Sequence, residues 1–156
     1  MRTHRALIGI MTGLAVLGAA GYWVWERASP RPVPVVVVYD SPACGCCAKW
    51  VEYLHEQGLR TIIHQEADMG RLKDRLGVPK AMRSCHTAQI GDYLIEGHVP
   101  VEDLKRLLAE RPSVAGLAAP GMPQSSPGMA VPGAPMEPYS VIAFQQDGSS
   151  WVYARH

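Results

Sequence analysis

The chain has 156 residues, 47% of them hydrophobic and 19% charged, which is enough for one globular domain of ordinary size. Its 15 basic and 14 acidic side chains give a formal net charge of +1, so the composition indicates no nucleic-acid partner. Two excesses are informative for function: the chain contains 15 glycines with 13 prolines, and 7 methionines.

Residues 1–27 predict an export signal or a membrane anchor. A short basic start precedes a 20-residue apolar run over residues 6–25, which only Thr12 interrupts. A cleaved signal peptide would use the small residues at 18–20, whereas an anchor would use the whole run, which spans ~30 Å at ~1.5 Å per residue. The length of the run and the lack of a good Ala-x-Ala site favour the anchor. For a bacterial protein, the body would then lie in the periplasm, tethered to the inner membrane by residues 6–25.

Residues 28–34 contain three prolines and predict a linker, and a folded domain is expected over residues 35–111. The run 35–39, four valines followed by a tyrosine, is typical of a buried central strand. A helix should begin at Cys46 or Cys47 and end near Gln57, with Trp50, Val51 and Leu54 on one apolar face.

The second half of this domain continues with alternating elements. Residues 59–64 predict a strand, and residues 68–76 a helix capped by Asp68. A hairpin follows over residues 87–96 around Gly91-Asp92, and then a helix over residues 100–110. The order βαβαββα is that of an α/β, thioredoxin-like domain.

Residues 112–138 predict a long extended loop rich in proline, glycine and methionine. Met122, Met129 and Met136 are spaced by seven, but six prolines between residues 120 and 138 exclude a helix. Residues 139–156 predict a β-hairpin around Asp147-Gly148 that packs on the same domain.

The cysteines carry the clearest chemical signal. Cys44, Cys46 and Cys47 lie within four residues at the start of the first helix, and Cys85 is followed directly by His86. Two structural disulfides are disfavoured, because only Cys44 and Cys47 are suitably spaced to pair with each other within this motif. Cys44 and Cys47 also form a C-x-x-C pair at a helix N-terminus, which is typical of a thiol–disulfide oxidoreductase.

That redox interpretation leaves Cys46 and Cys85 unexplained, and a soft metal ion would use both. A zinc site of three cysteines and His86 is one alternative. Cu(I) fits better, because closely spaced thiolates can bridge several Cu(I) ions, and four thiolates with four Cu(I) cancel in charge.

Four further side chains are candidate auxiliary ligands. Met122 and Met129 carry soft thioethers, although the frequent use of methionine as a gap-filler favours simple packing on the domain for each. We expect His86 to be either a ligand or a support for one. His98 could lie on the same rim, but its place in a loop favours a surface side chain.

The cysteine motif and several later blocks together resemble the CopG-like family of periplasmic copper-resistance proteins. The motif is Tyr-Asp-Ser-Pro-Ala-Cys-Gly-Cys-Cys-x-Lys-Trp at residues 39–50, and the later blocks lie at residues 76–79, 84–88, 96–100, 120–123, 126–129 and 152–156. The resemblance implies a thioredoxin-like domain with a cysteine-bridged copper site. Carried onto this chain, the implied ligands are Cys44, Cys46, Cys47 and Cys85.

We therefore expect an exported copper-binding protein that holds Cu(I) in a multinuclear cysteine cluster and acts in copper resistance. Copper or thiol redox activity through Cys44 and Cys47 would make it an oxidoreductase. Two other hypotheses stay open: a periplasmic thiol–disulfide oxidoreductase that uses the same pair, and a passive module that hands copper to an efflux or redox partner.

Overall fold

The computed structural model describes residues 35–131 and 133–156. Its strands are β1 (Val36–Asp40), β2 (Thr61–Gln65), β3 (Thr87–Ile90), β4 (Tyr93–Glu96), β5 (Gly116–Ala118), β6 (Ser140–Phe144) and β7 (Ser150–Arg155). Its helices are α1 (Gly45–Glu56), α2 (Met69–Arg75) and α3 (Val101–Glu110), with a 3₁₀ turn at Lys80–Met82. The export segment and the linker predicted over residues 1–34 lie outside the described residues. Within the described part, no helix is both long enough and apolar enough to span a membrane.

All seven strands form one mixed sheet in the order β2-β1-β3-β4-β5-β6-β7. Strand β1 pairs in parallel with β2 and antiparallel with β3, and β4 pairs in parallel with β5. The predicted α/β class is confirmed, and the βαβαββα order is present from β1 to α3. Strand β1 is held on both sides, by β2 and by β3. The cysteine-bearing turn that follows it is therefore fixed at the C-terminal end of β1.

The apolar faces predicted for the helices pack on this sheet. Trp50 and Leu54 of α1 and Leu104 of α3 are fully buried, in one cluster with the β1 residues Val36 and Val38. Burying a large apolar side chain stabilises the fold by roughly 1.5–3 kcal/mol. The core therefore anchors α1, and with it the cysteines at its N-terminal end.

Strand β5 was not predicted, because it lies in the segment expected to be a loop. Its middle residue, Leu117, is fully buried, and the strand joins β4 to β6. Gly116 is required at this position, since a Cβ there would collide with the Leu94 carbonyl group. Strand β5 is what connects the predicted C-terminal hairpin, β6 and β7, to the rest of the sheet.

Candidate metal centre

The cysteine motif forms the start of helix α1. Cys44 is the residue before the helix, and Cys46 and Cys47 lie in its first turn. Cys47 is fully buried, while Cys44 and Cys46 are partly exposed. The position agrees with the prediction that a cysteine-bearing turn follows the central strand and opens a helix.

Cys44 and Cys47 are joined by a disulfide, and their Cα atoms lie 5.4 Å apart. Cys46 and Cys85 are free thiols. The structure thus contains one disulfide among the described residues, formed by the C-x-x-C pair, and not the two structural disulfides that the sequence disfavoured.

The structure brings all four predicted sulfurs together. The Sγ atoms of Cys44, Cys46, Cys47 and Cys85 lie within 4.8 Å of one another. The Sγ atoms of Cys44 and Cys46 are 3.6 Å apart. A cluster of soft donors this compact can bind a metal ion, and thiolates select Cu(I), zinc or iron–sulfur groups. Reduction of the Cys44–Cys47 disulfide is needed before all four sulfurs can act as thiolates.

His98 is fully buried, so the expectation that it is a surface side chain was wrong. Its Nε2 atom lies 3.3 Å from the Cys85 Sγ, and its Nδ1 atom lies 2.7 Å from the carbonyl oxygen of Pro127. A carbonyl oxygen can only accept, so Nδ1–H is the donor and the Nε2 lone pair faces the sulfur. The loop residue Pro127 thereby orients His98 toward the cysteine cluster.

His86 contacts the same sulfur from another side. Its Nδ1 atom lies 3.3 Å from the Cys85 Sγ, and the centre of its ring lies 4.5 Å from that of Trp50. Its Nε2 atom is buried without a hydrogen-bond partner. Burial lowers the pKa of His86 to about 3, helped by the neighbouring His98, and burial also lowers the pKa of His98. Both rings are therefore neutral near pH 7, the form in which imidazole binds a metal.

Cys85 is held in its thiol form by this environment. Burial raises the pKa of Cys85 to about 11, and the neighbouring Cys46 adds to the shift. A metal that binds the Cys85 sulfur must therefore displace a proton, so its affinity depends on pH.

A buried polar network holds the Cys85–His86 dipeptide at both ends. The Glu96 carboxylate accepts hydrogen bonds from the Ser84 backbone N–H at 2.9 Å and from the Thr87 hydroxyl at 2.5 Å. It also pairs with the Lys73 ammonium at 2.8 Å, with both side chains almost fully buried. Sequence reasoning missed this network; its one signal was a glutamate at the end of a buried hairpin strand.

The charged residues next to the cysteines have other partners or face solvent. Arg83 pairs with Asp74 and donates to the Val78 carbonyl, and Lys49 is exposed. The Arg83 guanidinium is therefore engaged by Asp74 and Val78 and not by the cysteine sulfurs.

The methionine-bearing loop reaches the site through its backbone. A Cβ added to Gly128 would lie 2.8 Å from the backbone nitrogen of Trp50, so the loop packs directly against α1 beside the cysteines. Met122 is 44% exposed, and Met129 is partly buried. A role of either sulfur as an auxiliary ligand stays a prediction.

Comparison with known proteins agrees with the geometry of the site. The family model described as "Protein of unknown function, DUF411" matches residues 82–129, which include Cys85 and both buried histidines. Two solved structures, described as copper resistance protein copG in forms 1 and 2, are similar to the chain. Each is 40% identical to it and aligns over 80% of this chain and 98% of its own, with TM-scores of 0.73 and 0.74. No curated protein sequence matches the chain.

Proposed function

Because the chain belongs to the CopG family of copper resistance proteins, we propose that it acts in copper resistance by binding Cu(I) through its four cysteine thiolates. The single observation that carries this proposal is the convergence of four sulfurs, from the α1 turn and from the segment before β3, within 4.8 Å. Thiolate sulfur is the donor that Cu(I) prefers.

The compact arrangement favours several copper ions over a single zinc ion. Sulfurs this close can each bridge two Cu(I) ions. Cys46, which a C-x-x-C redox pair does not need, is then one of the bridging ligands. Four thiolates and four Cu(I) also sum to zero charge, which reduces the free-energy cost of placing ions beside the buried Cys47. Cu(I) here is the cargo of the protein.

The Cys44–Cys47 disulfide supports a redox contribution to this function. Forming it from two thiols releases two protons and two electrons, and two Cu(II) ions could each accept one electron to become Cu(I). The same oxidation removes two of the four thiolates, so copper release would accompany disulfide formation. In this form of the proposal the protein is a copper and thiol oxidoreductase.

The copper site can be tested on the reduced full chain, purified without oxygen and loaded with Cu(I). We expect several copper ions per chain, with a clear loss of stoichiometry when each cysteine in turn is changed to serine. Exposed His64 provides a matched control, and His64→Gln should bind as much copper as the wild type. Full copper retention in both Cys46→Ser and Cys85→Ser would refute the cluster.

A thiol–disulfide oxidoreductase is the second candidate, and the disulfide at the N-terminal end of α1 favours it. The dipole of the helix stabilises a thiolate at this position. This alternative predicts that the protein reduces a disulfide substrate. The activity should require Cys44 and Cys47 and should be unchanged in Cys85→Ser. The copper proposal predicts instead that Cys85→Ser impairs function.

We further propose that the domain is exported to the periplasm and tethered through residues 6–25, on the strength of the apolar run and its basic flank. The proposal predicts that protease added to spheroplasts digests the domain, while intact cells protect it. Recovery of the domain in the cytoplasmic fraction would contradict export.

A further inference from the structure

We propose that Cys85, His86 and His98 form a second copper site, with one sulfur and two nitrogen donors, that takes Cu(II) while Cys44 and Cys47 are joined by their disulfide. We call the three side chains of this second site the mixed-donor set. The inference rests on the proposed function, since copper is the cargo, but it adds a site for the other oxidation state of the ion.

The distances within the mixed-donor set suit a single metal ion. Both imidazole nitrogens that face Cys85 lie 3.3 Å from its Sγ, and the three donor atoms lie within 4.8 Å of one another. Bonds of ~2.3 Å to sulfur and ~2.0 Å to nitrogen at a tetrahedral angle place the two donors about 3.5 Å apart. Each nitrogen therefore lies within a few tenths of an ångström of the separation from the Cys85 Sγ that one shared ion needs.

The orientation of the two rings also suits a metal. The Pro127 carbonyl holds the Nδ1–H of His98, so the lone pair on Nε2 is directed at the sulfur. A ligating histidine whose other nitrogen donates to a carbonyl is the usual arrangement in metal sites. The ring of His86 is fixed by the indole of Trp50, which itself donates to the Val99 carbonyl.

The mixed-donor set is complete in the oxidised protein, where the four-thiolate site is not. The disulfide uses the sulfurs of Cys44 and Cys47, while Cys85 keeps its thiol and its two imidazole neighbours. Cu(II) favours imidazole nitrogen and tolerates one thiolate, whereas Cu(I) favours a sulfur-only set. Since Cys85 belongs to both donor sets, the redox state of Cys44 and Cys47 decides which oxidation state of copper the protein prefers.

The test uses the full chain with its disulfide intact and with Cys46→Ser, so that Cys85 is its one remaining thiol. Co(II) serves as a probe that does not oxidise thiols, and Cu(II) is added in parallel. We expect one metal ion per chain, with a sulfur-to-metal charge-transfer absorption band. With Cu(II), electron paramagnetic resonance should show coupling to two nitrogens.

Two histidine variants and one cysteine variant decide the outcome. His98→Gln and His86→Gln should each weaken binding by at least about tenfold, the size of effect found even for partners outside the ligand shell. Cys85→Ser should abolish the charge-transfer band, and His64→Gln should leave band and affinity unchanged. Circular dichroism identifies any variant that fails to fold. If a histidine variant does not fold, the near-isosteric Cys85→Ser variant decides the outcome.

Three results would overturn the mixed-donor set: no charge-transfer band, a band that survives Cys85→Ser, or binding that neither folded histidine variant weakens. Cu(I) stoichiometry of the reduced wild-type chain is measured separately. If the reduced chain binds Cu(I) at the expected stoichiometry while the disulfide-bonded Cys46→Ser chain gives one of these three results, only the second site is refuted. If the reduced chain binds no Cu(I), the proposed function itself fails.

Discussion

Lys73→Met should destabilise the protein strongly, because it leaves the buried Glu96 carboxylate without its cationic partner. The Glu96 side chain is fully buried and that of Lys73 is 5% exposed, so water cannot replace the lost ammonium. Removing one member of a buried ion pair costs roughly 3–5 kcal/mol. Urea denaturation of the metal-free, disulfide-bonded chain should show a loss of this size at pH 7.

The loss should shrink as the pH falls. Burial raises the pKa of Glu96, and in the wild type Lys73 opposes that shift. In Lys73→Met only the hydrogen bonds from Ser84 and Thr87 still oppose burial, so the pKa of Glu96 rises further and the folded state binds a proton more readily than the unfolded state does. A carboxyl with a raised folded-state pKa loses its contribution as the pH rises, so the variant regains stability from pH 7 toward the ordinary glutamate pKa near 4.3.

A double-mutant cycle separates the ion pair from general damage to the core. Lys73→Met with Glu96→Gln removes both charges, and the double variant should be more stable than the sum of the single losses predicts. Arg71→Met is a matched control: it breaks the exposed pair with Asp68 but leaves the Asp68 cap in place, and it should cost less than about 1 kcal/mol. Additive losses in the cycle, or a pH-independent loss in Lys73→Met, would refute this account.

Three further predictions concern the loop, the thiol and a helix cap. Gly128→Ala should lower the unfolding free energy by about 1–3 kcal/mol and speed proteolysis of residues 120–138, because its Cβ would collide with the Trp50 backbone; unchanged proteolysis would contradict the docking. In the disulfide-bonded Cys46→Ser chain, alkylation of Cys85 should be slow at pH 8 and still accelerate above pH 9, because burial, the largest cause of the raised Cys85 pKa, remains when Cys46 is replaced; a plateau below pH 9 would contradict this. Asp68→Ala should cost about 1 kcal/mol in urea denaturation, because it removes the cap of α2, and a cost near zero would show that the cap is unimportant.

Local patterns in the sequence predicted most of the fold. The hairpin turn at Gly91-Asp92 and the Asp68 cap depend on residues a few positions apart, and both are present. The C-x-x-C geometry is equally local, since the first turn of a helix brings Cys44 and Cys47 together. Strand β5 lacked any such signal: its Gly-Leu-Ala sequence contains no β-branched residue, and its extended shape comes from pairing with β4 and β6.

The sequence pointed to the four sulfur atoms of the candidate site and to the adjacent His86, but not to the rest of the site. Cys85 could be assigned because cysteines are few and chemically distinctive. The burial of His98 could not, since its neighbour Pro127 is 29 positions away and reaches it only when the loop packs back on α1. The Lys73–Glu96 pair was missed for the same reason, because it joins a helix to a strand 23 residues later.

The methionine spacing draws attention to side chains, yet the loop contacts the site through its backbone. Pro127 offers a carbonyl oxygen to His98, and Gly128 offers a surface flat enough to lie against the start of α1. Any residue has a carbonyl oxygen, but only glycine permits that close approach. Because the loop orients His98, and the start of α1 carries Cys46 and Cys47 with Cys44 directly before them, docking of the loop couples the nitrogen donors to the sulfur donors. The copper chemistry of the protein should therefore be more sensitive to Gly128 than to the exposed sulfur of Met122.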